Sequence, residues 1–497
     1  MLDAPSRRLI LALVLACVLV VPSSLFAQAA APVVSEKVAW QYEGTYATGG
    51  MSGRFTLLTR EDGAMVFEAI GTMPFKHVYV DGVMWEQNWH GSSRRMSHGE
   101  HEWYTVQYAL IGGLWDEMGD VFDIEEASVG EERVGFSVRE GLLRGSITLD
   151  AEGEPERASL STPGTRYSVE FGEYGLEPLA HPRRVRVEAT DASPTVLHVD
   201  RVSPVRGKTG HLFSPPEHNA SRVEWSTTAP NALDTRLGRR GHHLVRGRIN
   251  DRDMGWLVFD SGASASVINA DVARSLGLEA LGSIEATGVG GVVDSGIVLL
   301  DSVSLGPMTL RDHYFVSVDL GALEQSFGVR IAGIIGYDVL SHAVARVVAR
   351  SPVIELYPTV PEGLELEWRE CDLSNRIPVM AASVEGREGV YRIDTGAAGT
   401  TVDFHTHAVK SYGLLDDRET TRGRAGGIGR GVPMRQGSVE RFEFAGHAWR
   451  DLDVGFSLAN TGAFNDPYTD GNIGGRVLER FELWFDLRNE RIGFARR

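Results

Sequence analysis

A duplicated motif in the second half of the chain constrains the fold more than any other feature. Asp260-Ser261-Gly262-Ala263 follows a short apolar run, and Asp394-Thr395-Gly396-Ala397 follows another one 134 residues later. Later landmarks keep the same order in both copies, and their spacing drifts only from 134 to 138 residues. Such self-similarity at a nearly fixed spacing indicates two copies of one structural unit.

The shared landmarks describe each copy from end to end. A helix-like stretch after each motif ends near a glycine, which predicts a helix C-terminus. A glycine-rich turn, an apolar pair closed by glycine, a short helix and a final strand follow. In chain order these landmarks are Gly277, 288–291, 334–336 and 353–357 in the first copy, and Gly413, 426–429, 472–474 and 482–485 with 491–494 in the second.

The position of each aspartate predicts its chemistry. Asp is unfavourable in a buried strand, and the glycine two residues later ends the strand in a tight turn. Two such loops in related units indicate that Asp260 and Asp394 meet across a pseudo-twofold axis. Two adjacent carboxyl groups share one proton, so one activates water while the other polarises a carbonyl group. We expect the hydroxyls of Ser261 and Thr395 to brace the loops, and Gly262 and Gly396 to allow close approach.

These motifs resemble the retropepsin-like bacterial aspartyl proteases, over about residues 240–497. The resemblance implies one catalytic aspartate per lobe, Asp260 and Asp394, with both lobes in one chain, as in pepsin-like enzymes. A single chain is then an active monomer. It also implies that the glycine-rich turns are flaps that cover substrate, although they lack the tyrosine of the pepsin flap. The flap glycines are Gly288, Gly290, Gly291, Gly426, Gly427 and Gly429.

Other motifs have simpler interpretations. Asp294-Ser295-Gly296 is a third match to the short motif, but it has no partner in the second copy and is interpreted as an ordinary turn. The histidine pairs 242–243 and 405–407 lack a third ligand at metal spacing, so we expect solvated surface there. The turn at 427–431 lacks the Lys-Ser/Thr end of a phosphate loop. We therefore expect no metal ion and no organic cofactor.

The first half reads as antiparallel strands separated by turn residues, with one helix at 102–114. Residues 167–202, which include His181-Pro182-Arg183-Arg184, resemble the half-barrel of LolA-like periplasmic lipoprotein carriers. The predicted fold is therefore mainly β: an open half-barrel with a helix, then a two-lobed aspartic-protease fold. The predicted boundaries are 1–29 for a signal peptide, 30–205 for the front domain, 206–240 for a linker, and 241–360 and 361–497 for the lobes.

The beginning of the chain predicts export. Arg7 and Arg8 precede an apolar run from Leu9 to Val21, and Ala27-Gln28-Ala29 is a small-x-small cleavage site. The run is shorter than the roughly 20 apolar residues that span a bilayer. A lipidation box ending at Cys17 fits less well, because the apolar run continues beyond it. The only other cysteine is Cys371, so we expect a periplasmic or secreted protein without an internal disulfide.

The net charge disfavours one class of function. The chain has 49 basic and 67 acidic residues, a net charge of −18, which disfavours nucleic-acid binding. The sequence predicts an exported aspartic endopeptidase that hydrolyses polypeptides. The alternative is a non-catalytic peptide- or lipid-binding protein with a degenerate protease fold.

Overall fold

Strands dominate the computed structural model, which describes residues 38–115, 118–124, 133–176, 179, 181–190, 192–429 and 431–496. The mainly β class predicted from the sequence is confirmed. The predicted signal peptide and Cys17 lie outside the described residues. Within these ranges no helix is both long enough and apolar enough to cross a bilayer.

The front half forms one antiparallel sheet of 13 strands. Consecutive strands pair within β1–β6 and within β7–β13, and β1 pairs with β13, which joins these two halves. Strands β6 and β7 are the two edges of the sheet. The strands are β1 (Ala39–Thr48), β2 (Met51–Arg60), β3 (Met65–Gly71), β4 (Phe75–Val80), β5 (Val83–Gln87), β6 (Ser93–Arg95), β7 (Phe122–Ile124), β8 (Arg133–Val138), β9 (Arg144–Leu149), β10 (Pro155–Ser161), β11 (Arg166–Leu176), β12 (His181–Ala189) and β13 (Thr195–Val205).

Helix α1 (His98–Gly112) fills the inner face of this sheet. Val106 and Ile111 of the helix share one buried apolar cluster with strand residues from both ends of the sheet, such as Met84 and Phe136. The helix ends at Gly113, which adopts a left-handed conformation with φ of 71°. The sequence predicted this helix four residues late at its start and two residues late at its end.

The next part of the chain forms a nine-stranded sheet around the first motif. Two short strands inside the predicted linker already belong to it, because β14 pairs with β21 and β15 pairs with β16. The elements are β14 (Val223–Trp225), β15 (Thr235–Leu237), β16 (His243–Ile249), β17 (Arg252–Phe259), β18 (Val267–Asn269), α2 (Ala270–Ser275), β19 (Gly282–Gly288), β20 (Gly291–Leu305), β21 (Met308–Val318), α3 (Gly321–Phe327), β22 (Ile331–Ile335) and α4 (Tyr337–Leu340).

The second motif lies in an eight-stranded sheet that repeats the pairings of the first, apart from the pairing of β14 with β21. The parallel pair β17–β22 corresponds to β28–β33, and the parallel pair β18–β21 corresponds to β29–β32. The elements are β26 (Asp372–Ser374), β27 (Ile377–Val384), β28 (Arg387–Ile393), β29 (Val402–Phe404), α5 (Thr406–Ser411), β30 (Thr421–Ala425), β31 (Val432–Phe444), β32 (His447–Ser457), β33 (Gly471–Ile473) and α6 (Gly475–Leu478).

A five-stranded sheet joins these two parts of the chain. Its order is β24-β23-β34-β35-β25, so β23 from the first part pairs directly with β34 from the second. One continuous apolar core accordingly contains residues of both parts, among them Phe259 and Phe485. The strands are β23 (Val344–Val348), β24 (Val353–Tyr357), β25 (Glu367–Glu370), β34 (Phe481–Asp486) and β35 (Arg491–Arg496).

The front sheet contacts the rest of the molecule through buried polar groups. Arg94 donates to Glu86 over 2.7 Å and to the carbonyl oxygen of Leu373 over 2.8 Å. Arg376 donates to the other oxygen of Glu86 over 2.5 Å and lies over the ring of Trp89. The main apolar core of the front sheet is separate from the core that joins the two motif-bearing parts.

Candidate active site

Strand pairing places each motif aspartate at the end of a parallel strand pair. The backbone N–H of Asp260 donates to Ile335 beside β17–β22, and that of Asp394 donates to Ile473 beside β28–β33, both over 3.1 Å. Each strand ends in three buried residues, 257–259 in β17 and 391–393 in β28, and each aspartate follows directly where the strand ends. The three residues are apolar in β17, whereas those of β28 include Arg392. The two aspartates therefore occupy the same place in two sheets with the same pairing.

The two carboxyl groups face each other at the junction of the sheets and interact directly. Each one lies over the glycine of the other motif. A Cβ built on Gly262 would stand 2.6 Å from the carboxyl carbon of Asp394, and one on Gly396 would stand 2.4 Å from that of Asp260. These separations are far below van der Waals contact. Glycine is required at both positions because any side chain would displace the opposite carboxyl group.

The residues after the aspartates hold the two loops together. The backbone N–H of Ser261 donates to Thr395 Oγ1 over 2.9 Å, and that of Thr395 donates to Ser261 Oγ over 3.1 Å. Ser261 Oγ then donates to the carbonyl oxygen of Ile393, and Thr395 Oγ1 donates to that of Phe259. Both side chains are buried. This reciprocal network has the geometry expected of the bracing residues.

Burial and proximity perturb both carboxyl groups. Burial, followed by the neighbouring Asp394 carboxyl, raises the pKa of Asp260 above its ordinary value. Burial also raises the pKa of Asp394, while N–H donors from Ala397 and Asn472 act in the opposite direction. Two coupled groups with raised pKa values hold one proton between them over a wide pH range.

The glycine-rich turns form two hairpin tips that touch. Gly288 ends β19 and Gly291 begins β20, whereas 426–429 connects β30 to β31. The N–H of Gly290 donates to the carbonyl oxygen of Ile428 over 3.1 Å, and Gly290 forms a parallel bridge with Gly429. A Cβ on Gly288 would stand 2.3 Å from that carbonyl oxygen, whereas one on Gly426 would meet no atom within 4 Å.

The front sheet holds the first hairpin. The carbonyl oxygen of Gly49, in the turn between β1 and β2, accepts from the N–H of Ser283 over 2.7 Å. Ser193, in the turn between β12 and β13, donates to the carboxylate of Glu285 through its N–H and its hydroxyl, over 2.9 and 2.8 Å. The two hairpin residues in these contacts, Ser283 and Glu285, both lie in β19. The position of this strand is therefore coupled to the front sheet.

Two interpretations of single motifs were wrong. Asp294-Ser295-Gly296 is not a turn, because all three residues lie within β20 and pair with β19. Asp294 is exposed on that strand and does not reach the junction of the sheets. His242, His243 and His405 are buried rather than solvated. His243 begins strand β16, whose alternation turns it inward, and His405 packs beneath the second motif.

The sequence also gave no indication of a buried cluster made by His90, His313 and Asp338. The His90 and His313 rings stack with their centroids 3.5 Å apart, and His313 Nε2 lies 3.1 Å from an Asp338 oxygen. The N–H of Tyr314 donates to His90 Nε2, so a neutral His90 carries its proton on Nδ1. That proton occupies the lone pair that a metal ion would need. The cluster thus fits a hydrogen-bonded contact between the front sheet and β21 better than a metal centre.

Comparison with known proteins agrees with this geometry in the first of the two sheets. The model of an aspartyl protease family matches residues 245–339, which contain Asp260 and the first hairpin. No curated protein matches the chain significantly. The region around Asp260 is therefore aspartyl protease-like.

Proposed function

We propose that this protein is an exported aspartic endopeptidase in which Asp260 and Asp394 form the catalytic pair of a two-lobed protease. The observation that carries this proposal is the crossed arrangement of each carboxyl group over the glycine of the opposite motif. The family match over residues 245–339 supports it for the first lobe. The repeated strand pairing extends the same interpretation to the second lobe.

The reaction needs only the two carboxyl groups and water. The ionised carboxylate takes a proton from water as the water oxygen bonds to the peptide carbonyl carbon, while the protonated carboxyl gives its proton to the carbonyl oxygen. As this tetrahedral diol collapses, one of its hydroxyl protons returns to the carboxyl group that had protonated the carbonyl oxygen. The carboxyl group that had taken the proton from water now protonates the amide nitrogen, and the C–N bond breaks. The pair ends in its starting protonation state, and no covalent enzyme intermediate forms.

The substrate in this proposal is a polypeptide bound in extended form between the carboxyl pair and the two hairpin tips, which act as flaps. The tips touch through Gly290 and Ile428, so in this proposal they must separate for a polypeptide to enter. Since the chain supplies both aspartates, we propose that a monomer is active in the periplasm or outside the cell. The front domain at 30–205 remains a proposed accessory domain.

The decisive experiment compares three isosteric variants. Asp260→Asn and Asp394→Asn keep the shape of the site but remove an ionisable group, whereas Asp294→Asn makes the same change in the third motif. We expect both site variants to lose at least about 10³-fold in peptide cleavage and Asp294→Asn to keep wild-type activity. Cleavage of a peptide library is measured by mass spectrometry from acid to neutral pH, with circular dichroism as the folding control.

Two results would contradict the proposal. If the wild-type protein cleaves no peptide at any pH, the fold serves binding instead, as in the alternative of a non-catalytic peptide- or lipid-binding protein. If cleavage survives in either site variant, another group performs the chemistry. Activity per molecule that falls on dilution would show that a single chain is not sufficient.

A further inference from the structure

A line of buried polar side chains begins at Asp394 and leads away from the carboxyl pair. Asn472 Nδ2 donates to Asp394 Oδ2 over 2.6 Å, and Asn472 Oδ1 lies 2.9 Å from His405 Nε2. The hydroxyl of Thr469 lies 2.9 Å from the other ring nitrogen, Nδ1. Asn472, His405 and Thr469 are all buried. The line ends at the ion pair of Asp466 and Arg392, whose atoms lie 2.7 Å apart.

The first lobe has no equivalent of this line. In the parallel pair β28–β33, Asn472 pairs with Arg392, and the corresponding residue in β17–β22 is Ile334, which pairs with Val258. An isoleucine side chain has no hydrogen-bond donor. The two carboxyl groups therefore occupy the same place in their sheets but differ in the residue beside them.

This difference decides which carboxyl group is ionised. A hydrogen bond to a charged acceptor is shorter and stronger than one to a neutral acceptor, so an N–H donor favours the carboxylate form. Resting on the proposed function, we propose that Asn472 is a positioning residue that makes Asp394 the ionised, water-activating member of the pair. The shared proton then lies on Asp260, which polarises the substrate carbonyl.

His405 fixes the orientation of the Asn472 amide. Its Nε2–H donates to Asn472 Oδ1, so a rotated amide would lose this bond and turn its oxygen toward the Asp394 carboxylate. Burial, followed by the nearby Arg392 charge, lowers the pKa of His405 to about 4. When Asn472 Nδ2 donates to Asp394, Asn472 Oδ1 needs the His405 proton on Nε2. Nδ1 then faces the hydroxyl of Thr469, which also lies 2.7 Å from Asp466 Oδ2, and the carbonyl oxygen of Thr469, 3.0 Å away.

Three other charged groups act on Asp394. The Arg392 guanidinium favours its ionised form, as Asn472 does. Asp260 opposes a second negative charge. Asp403, whose pKa is raised to about 6 mainly by burial, also disfavours a neighbouring carboxylate as it ionises. Besides the Asp260 carboxyl itself, Asn472 is the group in this set whose side chain donates a hydrogen bond to Asp394.

The test follows each carboxyl group directly. Protein labelled with ¹³C at the aspartate carboxyl carbons is titrated by NMR, with Asp260→Asn and Asp394→Asn assigning the two resonances. We expect Asp394 to lose its proton first. In Asn472→Leu this step moves up by about one to two pH units, the effect of one hydrogen bond to a charged group. His405→Phe gives a smaller shift in the same direction.

Tyr412→Phe is the matched control. It removes a 2.9 Å hydrogen bond to Asp470 in the same lobe without touching the pair, so we expect no shift. Asn472→Ser, too short to reach Asp394, replaces the leucine variant if that variant does not fold. In peptide cleavage, the acid limb of kcat/KM shifts to higher pH in Asn472→Leu while KM changes little.

Two outcomes overturn the inference. Either Asp260 ionises first in the wild-type protein, or the first ionisation stays unchanged in Asn472→Leu. A shift of equal size in Tyr412→Phe would likewise show that the effect is not carried by this line. The NMR titration needs no turnover, so absence of cleavage contradicts the proposed function alone.

Discussion

At the scale of single residues, the site combines groups that a stable protein would avoid. Asp260 and Asp394 are held together although each raises the cost of ionising the other, and each carboxyl group occupies the space that a side chain at Gly396 or Gly262 would need. Buried, strained ionisable pairs of this kind are typical of functional sites, where stability is lost in exchange for reactivity. The same conflict gives a measurable prediction.

We predict that Asp260→Asn stabilises the folded protein at neutral pH. The folded pKa of Asp260 lies above its unfolded value, so the folded state binds more protons between the two values and stability falls as pH rises through that window. An asparagine has no such dependence, and we expect about 2 kcal/mol of added stability at pH 7. Denaturant unfolding at several pH values measures this difference.

The gain should disappear below about pH 4, where the unfolded aspartate is protonated as well. Asp294→Asn, at an exposed position, should change stability by less than about 0.5 kcal/mol at either pH. If Asp260→Asn is equally or less stable than wild type at pH 7, ionisation of Asp260 does not destabilise the folded protein.

At the scale of elements, the two hairpins meet at contacts that need glycine in both tips, at Gly288 in the first and at Gly427 in the second. Gly288 lies against the carbonyl oxygen of Ile428, and β19 is also attached to the front sheet through Ser283 and Glu285. We infer that the first hairpin is the more constrained of the two. Closing hairpins exclude water and commit substrate, so the tip contact should matter for catalysis.

We predict that Gly288→Ala lowers kcat/KM for peptides by about tenfold, because its Cβ would push the tips apart. Gly426→Ala should have a much smaller effect, since its Cβ meets nothing within 4 Å and its backbone is not left-handed. Steady-state kinetics compares the two variants, and their melting temperatures are measured to show that both remain folded. Equal losses would mean that tip contact is not used in turnover.

At the scale of the whole molecule, sequence patterns predicted local elements well and distant contacts poorly. The Asp-x-Gly turns, the strands and the helix near 102–114 follow from short-range patterning. The donor to Asp394 was missed because Asn472 reaches it only through a parallel pairing 78 residues away. His405 was misplaced because a His-Thr-His run has no strong periodicity, and its burial is set by the neighbouring strands.

The contact between the front sheet and the lobes was also invisible in the sequence. It depends on Glu86 meeting Arg376 across 290 residues. The predicted domain boundaries at 205 and 240 stay predictions, but a fragment that begins after them would expose Arg376 without its carboxylate partner. Charge patterning along the chain does not reveal such a pair, because each member has an ordinary local environment.

We predict that Glu86→Gln destabilises the protein by about 3 kcal/mol at neutral pH, because Arg94 and Arg376 lose their buried counter-charge. Arg376 and Arg94 hold the pKa of Glu86 well below its usual range. This stabilisation is present above the unfolded pKa and is lost as pH falls through the folded one. Burial also lowers the pKa of the neighbouring His77, which adds to the acid sensitivity.

Thermal unfolding between pH 7 and pH 2 measures the effect, and Glu188→Gln, which removes a half-exposed pair with Arg186, is the control. The control should cost less than about 1 kcal/mol. The gap between wild type and Glu86→Gln should narrow as the pH falls below about 4.5. A gap that stays constant over this range would show that Glu86 is not ionised in the folded state.

The order of synthesis separates β23 from the strand that completes its sheet. Val344–Val348 leaves the ribosome well over a hundred residues before Phe481–Asp486, its neighbour in the five-stranded sheet. Asp260 is made before β33, which pairs with the strand that ends just before Asp394, and before β34. A nascent chain that has not reached β34 therefore lacks the pairing that joins the two parts of the chain. For the proposed peptidase, this order of synthesis would delay activity until the two lobes are joined.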